Sequence, residues 1–537
     1  MTDDKHETKH DRGIGALRAA LREGAMSRRQ FIAAAIAAGA GMAGALRMAD
    51  AEAAPRKGGR FRIGIGRGST TDTLDPGTFN DTYMQTVGLA MRNCLTEADN
   101  NDRLIGELAE SFEAGAGAKT WTFKLRKGVE FHNGKSLTSD DVVASLRHHI
   151  GESSTSVAKG FMEEIESVKK DGKRAVVVKL KDGNADFPFL MSDYHISIMP
   201  EKDGKPDWQS GAGTGGYVLE RFEPGVKTTL KRNPNYWKSG RAHFDEIEAI
   251  VTPDAAARTS GIKSATFDAI DRVDLKTVNR LARDKSIKIM ETQGTLHFTY
   301  SMFCDKAPFD NADVRLALKY GINREEFLAK ILQGHGYLGN DHPIGKSNRY
   351  YNKQLPQRPY DPERAKAHLK KAGLSSLKVK LHVADEAFAG AVDGAVLYRE
   401  AAAKAGIDLE VAREPNDGYW SNVWNVQPFA ASYWSGRLTE DWMFSTTYAR
   451  GVPWNETHWD NKRFNDLLLK ARVELAPAKR AEMYGEMQKL VSDDGGAVIP
   501  AFANYVFAVS DKIGHDRMSA AWDLDGIKCA ERWWFKA

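Results

Sequence analysis

An α/β fold with at least one parallel sheet is what this sequence predicts, and three observations carry that expectation. Alternating strand patterns and capped helix patterns are interleaved along the chain rather than segregated. One stretch reads strand, helix, strand: Leu377 to Val383, Phe388 to Ala405, then Ile407 to Val411. Such a βαβ unit requires its two strands to run parallel. The 537 residues also exceed what one hydrophobic core organises, so two or three domains are expected.

The chain opens on a targeting segment, 1–54. Arg28-Arg29 precedes an Ala/Gly-rich apolar run from Ala33 to Leu46 and the small-residue stretch Ala49 to Ala54. Paired arginines, a short apolar region and an A-x-A-like site read as a twin-arginine export signal, and the mature protein is expected to begin near Pro55. The apolar run is too short to span a bilayer and holds glycines at 39, 41 and 44. The stretch before the arginines is long for such a signal, which makes Met26 a candidate start. No cysteine lies at the cleavage region, so a periplasmic protein without a lipid anchor is expected.

Downstream, Phe61 to Ile65, Trp121 to Leu125 and Ala175 to Leu180 alternate as strands. Thr138 and Asp141 have capping-box spacing before Val142, Val143, Leu146 and Ile150. Asp361-Pro362-Glu363 opens a helix that Gly373 closes. Gly211 to Gly216 fits G-x-G-x-x-G, yet Tyr217 to Phe222 continues as a strand where a dinucleotide site needs a helix. These glycines are read as a tight crossover. Gly345-Lys346-Ser347 has its nearest preceding glycine at 339, one residue too far for a P-loop.

Composition narrows the function. A net charge of +4 with 28% charged residues gives no electrostatic case for nucleic acid or an anionic membrane. Three cysteines, Cys94, Cys304 and Cys529, allow at most one disulfide and form no C-x-x-C. His148 and His149 are adjacent on a helix and point about 100° apart, unlike an i, i+4 metal pair. They and His132 are expected to make structural hydrogen bonds. No H-E-x-x-H or G-x-S-x-G occurs, so no metal, no cofactor and no catalytic residue are expected.

Ordered blocks then carry a resemblance over nearly the whole mature chain: Leu108 to Phe112, Trp121 to Lys135, Asp140-Asp141-Val142, Gly213-Thr214-Gly215, Arg232 to Trp237, Pro308-Phe309-Asp310 with Val314 to Leu318, and Tyr360-Asp361-Pro362. The sequence resembles the family 5 extracellular solute-binding proteins, the peptide- and nickel-type receptors of ABC importers. The resemblance implies a two-lobed periplasmic-binding-protein fold of type II, in its large peptide-binding subclass. Lobe one would comprise 55–90, 213–299 and 500–537, an inserted subdomain 91–212, and lobe two 300–499. Hinge crossings would fall near Phe298 to Met302 and Pro500 to Asn504. A monomer is expected, capturing a short peptide or peptide-like solute for an ABC permease and ATPase complex. An opine, a sugar conjugate or a metal chelate is the same-fold alternative; an exported hydrolase or a peptide chaperone is the alternative of another class.

The ligand is expected between the lobes. Tyr433, Trp434, Ser435, Arg437, Glu440 and Asp441 offer an aromatic wall, a glycine turn and fixed charges. Trp454 and Asn455 form a second aromatic and polar stretch, and the hydroxyls of Ser69 and Thr70 either line the cleft or cap a turn. Peptide-binding relatives commonly carry an aspartate for the peptide's amino group directly after this glycine; here Arg437 stands there. An arginine fork prefers a carboxylate, which leaves Glu440 or Asp441 for any cationic end, unless either simply neutralises Arg437. Replacing Arg28 and Arg29 together by lysine is expected to hold an unprocessed precursor in the cytoplasm, because the signal is read by a receptor rather than by charge. Fractionation and immunoblotting check this; normal periplasmic accumulation would reject the twin-arginine route.

Overall fold

The computed structural model describes Leu17 and residues 28–38 and 55–536. Of the export signal, the backbone of helix Arg28–Ala37 is described; the side chains of Arg28 and Arg29 and the expected cleavage stretch, Ala49 to Ala54, lie outside the described residues.

Two seven-stranded sheets and one four-stranded sheet organise the rest. At the middle of the first sheet, Arg60–Ile65 runs parallel to Glu246–Val251 on one side and to Ala269–Ile270 on the other. Phe61, Ile63 and Ile65 are fully buried, as the period of two requires, and Phe61 stacks on Phe244 with ring centroids 4.6 Å apart. Tyr505–Ser510 completes this sheet, paired with Ala269–Ile270 and Ile287–Thr292.

The second sheet is built around His297–Met302, whose six residues are all buried. It pairs with Phe429–Trp434, and the expected βαβ unit forms the far edge. Leu377–Val383 and Ile407–Arg413 pair in parallel from Leu377↔Ile407 to Val383↔Arg413, joined by helix Ala391–Ala403. That helix starts later than its pattern suggests. Gly390 before it sits at φ +81°, and Phe388 leaves the helix to stack on Phe298 at 4.1 Å.

Ala109–Ala114, Thr120–Leu125, Ala175–Leu180 and Ile165–Lys170 make the antiparallel four-stranded sheet. Helix Ser139–His148 packs beside it, and the Asp141 carboxylate accepts the Thr138 N–H at 2.8 Å. Helix Pro362–Lys371 likewise starts at its Asp361 cap. At Gly213 and Gly215 a Cβ would lie 2.1 Å from the Met91 carbonyl oxygen and 2.4 Å from its carbon, so these glycines permit a close backbone crossing.

The chain passes between the seven-stranded sheets at 293–296 and at Asn504. Residues 297–302 and 501–503 are strands of the second sheet, which moves the first crossing ahead of the expected Phe298 to Met302 and assigns 297–299 and 501–503 away from lobe one. The crossings are hydrogen-bonded to each other through Ala503 N–H and the Leu296 carbonyl at 2.8 Å.

Two charged contacts bind distant segments. Glu107 accepts from Lys238 and Lys528, each at 2.6 Å, and from Asn93 and the Cys94 N–H. Glu97 and Glu531 complete the group with Arg532. Three carboxylates thus meet three cations out of water, tying residues 97–107 to the last helix. Elsewhere, Asp186 beside the four-stranded sheet holds Arg480 of helix Pro477–Asp494 through two hydrogen bonds of 2.7 and 2.5 Å, both groups buried. Ala185 N–H reaches the Arg472 carbonyl at 2.7 Å, and Phe161 packs on Trp442 at 5.0 Å.

Replacing Glu107 by alanine should cost about 3–5 kcal/mol, since it removes the carboxylate that two buried ammonium groups share; urea unfolding measures it. A loss under about 1 kcal/mol would reduce the cluster to the worth of a surface pair. Glu164, beside this bridge, is pushed up to about 7 by burial, with the Asp441 charge adding to it. A raised carboxyl contributes stability that is full below its unfolded pKa of about 4.3 and is lost as pH rises through 7. Glu164→Gln should therefore flatten the fall in melting temperature between pH 5 and about 8, and an unchanged pH profile would contradict the assignment.

Candidate functional site

A cavity of about 1970 Å³ opens between the two large sheets, lined from both. It is roughly twice the upper end of ordinary small-molecule pockets, about 1,000 Å³. One wall continues from strand Phe429–Trp434 through the turn at Gly436 into helix Glu440–Thr447, which Thr439 caps by accepting the Trp442 N–H at 3.2 Å. Only glycine fits at 436, because a Cβ would stand 1.9 Å from Thr295 Oγ1 in the first crossing.

Arg437 leaves that turn half-buried and lines the cavity. Its guanidinium donates to the Gly436 carbonyl at 3.2 Å and to the Ser435 carbonyl, and lies 5.5 Å from the centre of the Trp442 ring. No carboxylate among the described residues stands within ion-pair distance of it. Burial holds its pKa below the usual value, while Tyr194, Asp193 and Tyr505 across the cleft act in the opposite sense. The expected local pairs do not form. Asp441 lines the cavity but accepts from Arg472 at 3.2 Å, and burial raises its pKa. Glu440 is buried in the wall, accepts the Tyr350 N–H at 2.6 Å, and is pushed up to about 7 by burial.

The other expected residues divide by geometry. Tyr433, Ser435 and Trp454 line the cavity. Tyr433 meets Trp420 edge-on at 5.6 Å, and Trp454 is half exposed at 49%. Trp434 does not line it: strand alternation turns the ring into the core beside Trp424, where it is 7% exposed. Asn455 is also withdrawn, its amide donating to the Trp459 carbonyl at 2.8 Å and its carbonyl accepting from Thr457. Ser69 and Thr70 serve a turn outside the cavity lining. The Asp72 carboxylate accepts the Ser69 N–H at 2.7 Å, and a Cβ at Gly225 would stand 2.5 Å from the Ser69–Thr70 backbone.

The opposite wall was not foreseen. It contributes Tyr194, Tyr505, Trp522 and Asp523, with Tyr194 and Trp522 edge to face at 5.5 Å. These come from three distant stretches, and no spacing in the sequence marks them as neighbours. His132, His148 and His149 make structural contacts, the last to Ser156 at 2.7 Å. His132 contacts the Gly213 N–H and the Gly215 carbonyl, and His148 pairs with Asp75 at 2.8 Å. The three cysteines are free thiols, with Cys94 and Cys529 buried. The carboxylates of Glu97, Glu107 and Glu531 converge, but Lys238 and Lys528 already supply the cationic charge there.

Residues 103–456 match the family described as Bacterial extracellular solute-binding proteins, family 5 Middle. Heme-binding protein A of Haemophilus influenzae is 31% identical over 293 residues, 50% of this chain and 53% of that protein, so the chain spans about half the length of that relative. The dipeptide-binding protein of Escherichia coli is 26% identical over 434 residues, 74% of this chain and 81% of that protein. The solved structure of HbpA2 from Haemophilus parasuis has a TM-score of 0.80 at 19% identity, covering 89% of this chain and 100% of that one; the likeness is one of fold. Family and fold are those of two-lobed substrate-binding proteins, not of enzymes. The chain belongs to the family 5 bacterial extracellular solute-binding proteins.

Proposed function

We propose that this protein is exported by the twin-arginine route and works in the periplasm as a monomer. There it captures a short peptide or peptide-like, carboxylate-bearing solute between its lobes and delivers it to the permease of an ABC importer. The observation that carries this reading is Arg437: a guanidinium on the cavity wall, partly stripped of water and unmatched by any carboxylate among the described residues. Such a group gains most from a carboxylate, which it can meet with two parallel hydrogen bonds. The aromatic walls at Tyr433 and Tyr194 suit an elongated solute with some apolar surface. The dipeptide-binding relative supports peptide chemistry, and the cavity volume leaves room for more than two residues.

Native mass spectrometry of periplasm-purified protein identifies a retained solute, and calorimetry with short peptides and their carboxyl-amidated forms tests the clamp. Arg437→Ala should cost about 2–5 kcal/mol with the free acid, and far less with the amide. The bound solute should raise the melting temperature, compact the protein in solution scattering and be recovered chemically unchanged. A variant that still separates acid from amide as sharply as the parent would remove Arg437 from the role.

A further inference from the structure

The wall opposite Arg437 carries two more guanidiniums. Arg67 follows the central strand Arg60–Ile65, and Arg272 follows its parallel neighbour Ala269–Ile270. The pairing Ile63↔Ala269 and Gly64↔Ile270 brings the carboxyl ends of these strands out side by side at the cavity, the place where open α/β sheets bind ligands. The backbone there is held firmly. Asp271 Oδ1 accepts the Gly66 N–H at 2.8 Å and stands 3.5 Å from Arg258 Nε, so its charge is committed. Arg272 itself sits at φ +47°, a left-handed conformation that costs a non-glycine residue about 1–3 kcal/mol and gathers at ligand sites.

Neither Arg67 nor Arg272 has a carboxylate within ion-pair distance among the described residues. Both guanidiniums are exposed along the cleft, and partial loss of water and then the Arg67 charge hold the Arg272 pKa below its usual value. Two like charges that follow neighbouring strand ends favour an anion between them. Asp523 lines the same wall, its Oδ1 accepting the Leu524 N–H at 2.8 Å, and makes no ion pair among the described residues. Burial and the Asp271 charge push it up to about 7, which makes it a weak counter-charge. Tyr505 lies on the same wall, its phenol within electrostatic reach of Arg437, Arg272 and Asp523.

We propose that Arg67 and Arg272 form a second anion subsite, selecting solutes that carry an acidic group besides the carboxylate held by Arg437. The proposal rests on the peptide reading of the cleft and narrows it to acidic peptides and peptide-like diacids.

Calorimetry with Glu-Ala, Ala-Glu and Ala-Glu-Ala against their Gln counterparts tests it. The parent should bind at least one Glu member about tenfold or more tightly than its Gln partner, the scale of a charged hydrogen bond. Arg67→Ala with Arg272→Ala should bring that ratio to about one without weakening the Gln member, and the double lysine variant should keep part of it. Asp523→Asn should widen the ratio, since it removes a competing negative charge. Thermal unfolding of each unliganded variant confirms that it folds. The subsite is overturned if Gln and Glu members bind alike in the parent, if the ratio survives the double alanine change, or if Asp523→Asn weakens the Glu members. Binding without discrimination removes the subsite alone. If no member of any pair binds, the peptide reading falls and the subsite falls with it.

Discussion

The hydrogen-bonded pair of chain crossings, 293–296 against Ala503 and Asn504, is the constraint on which the rest of the molecule depends. Among the described residues the two large sheets are covalently joined only there, and the Leu296–Ala503 hydrogen bond ties the two crossings into one ribbon. Such a short double linker permits rotation of one lobe against the other while opposing their separation, the geometry of hinge closure. Gly436 is pressed against Thr295 in this ribbon, so the turn that carries Arg437 rests on the hinge itself. A rotation that moves Thr295 therefore meets the Gly436 turn directly.

Around that hinge the charged groups divide between those that hold the structure and those left for a solute. Glu107, Lys238, Lys528 and Glu531 satisfy one another, as do Asp186 and Arg480, and Asp441 and Arg472. Arg437, Arg67 and Arg272 do not. Burying a charge costs several kcal/mol, roughly, unless it is paired, so guanidiniums left unpaired along a cleft are tolerable where the cleft stays wet until a ligand arrives. The Asp186–Arg480 bridge lies on one side of the cavity, where it links the four-stranded sheet to helices of the second lobe.

Much of this frame was legible in the sequence. The βαβ unit, the Asp361 and Thr138 caps and the Gly213–Gly215 crossing follow from local rules, because periodicity, capping and glycine placement act over a few residues. Arg437 was legible too, through its place after a strand and a glycine. What failed was anything that needed a partner from far along the chain. Arg472 claims Asp441 from 31 positions away, and Tyr350 claims Glu440 from 90; neither spacing leaves a trace. Trp434 was avoidable, since Tyr433 and Trp434 are consecutive in a strand and only one can face the cleft. Arg67 and Arg272 stayed hidden because two strand ends become neighbours only once the sheet between residues 60 and 270 is assembled.

That sheet imposes an order on synthesis. Arg60–Ile65 is among the first strands made, yet Tyr505–Ser510 is required to complete its sheet and Lys528 to close the buried ion cluster. At about 5–20 residues per second, the ribosome delivers these partners tens of seconds after the strand that waits for them. The second sheet, whose strands all fall between His297 and Ala503, is fully translated earlier. The half of the protein that is born first is therefore the half that finishes last, and its apolar strands stay in need of protection until the final residues emerge.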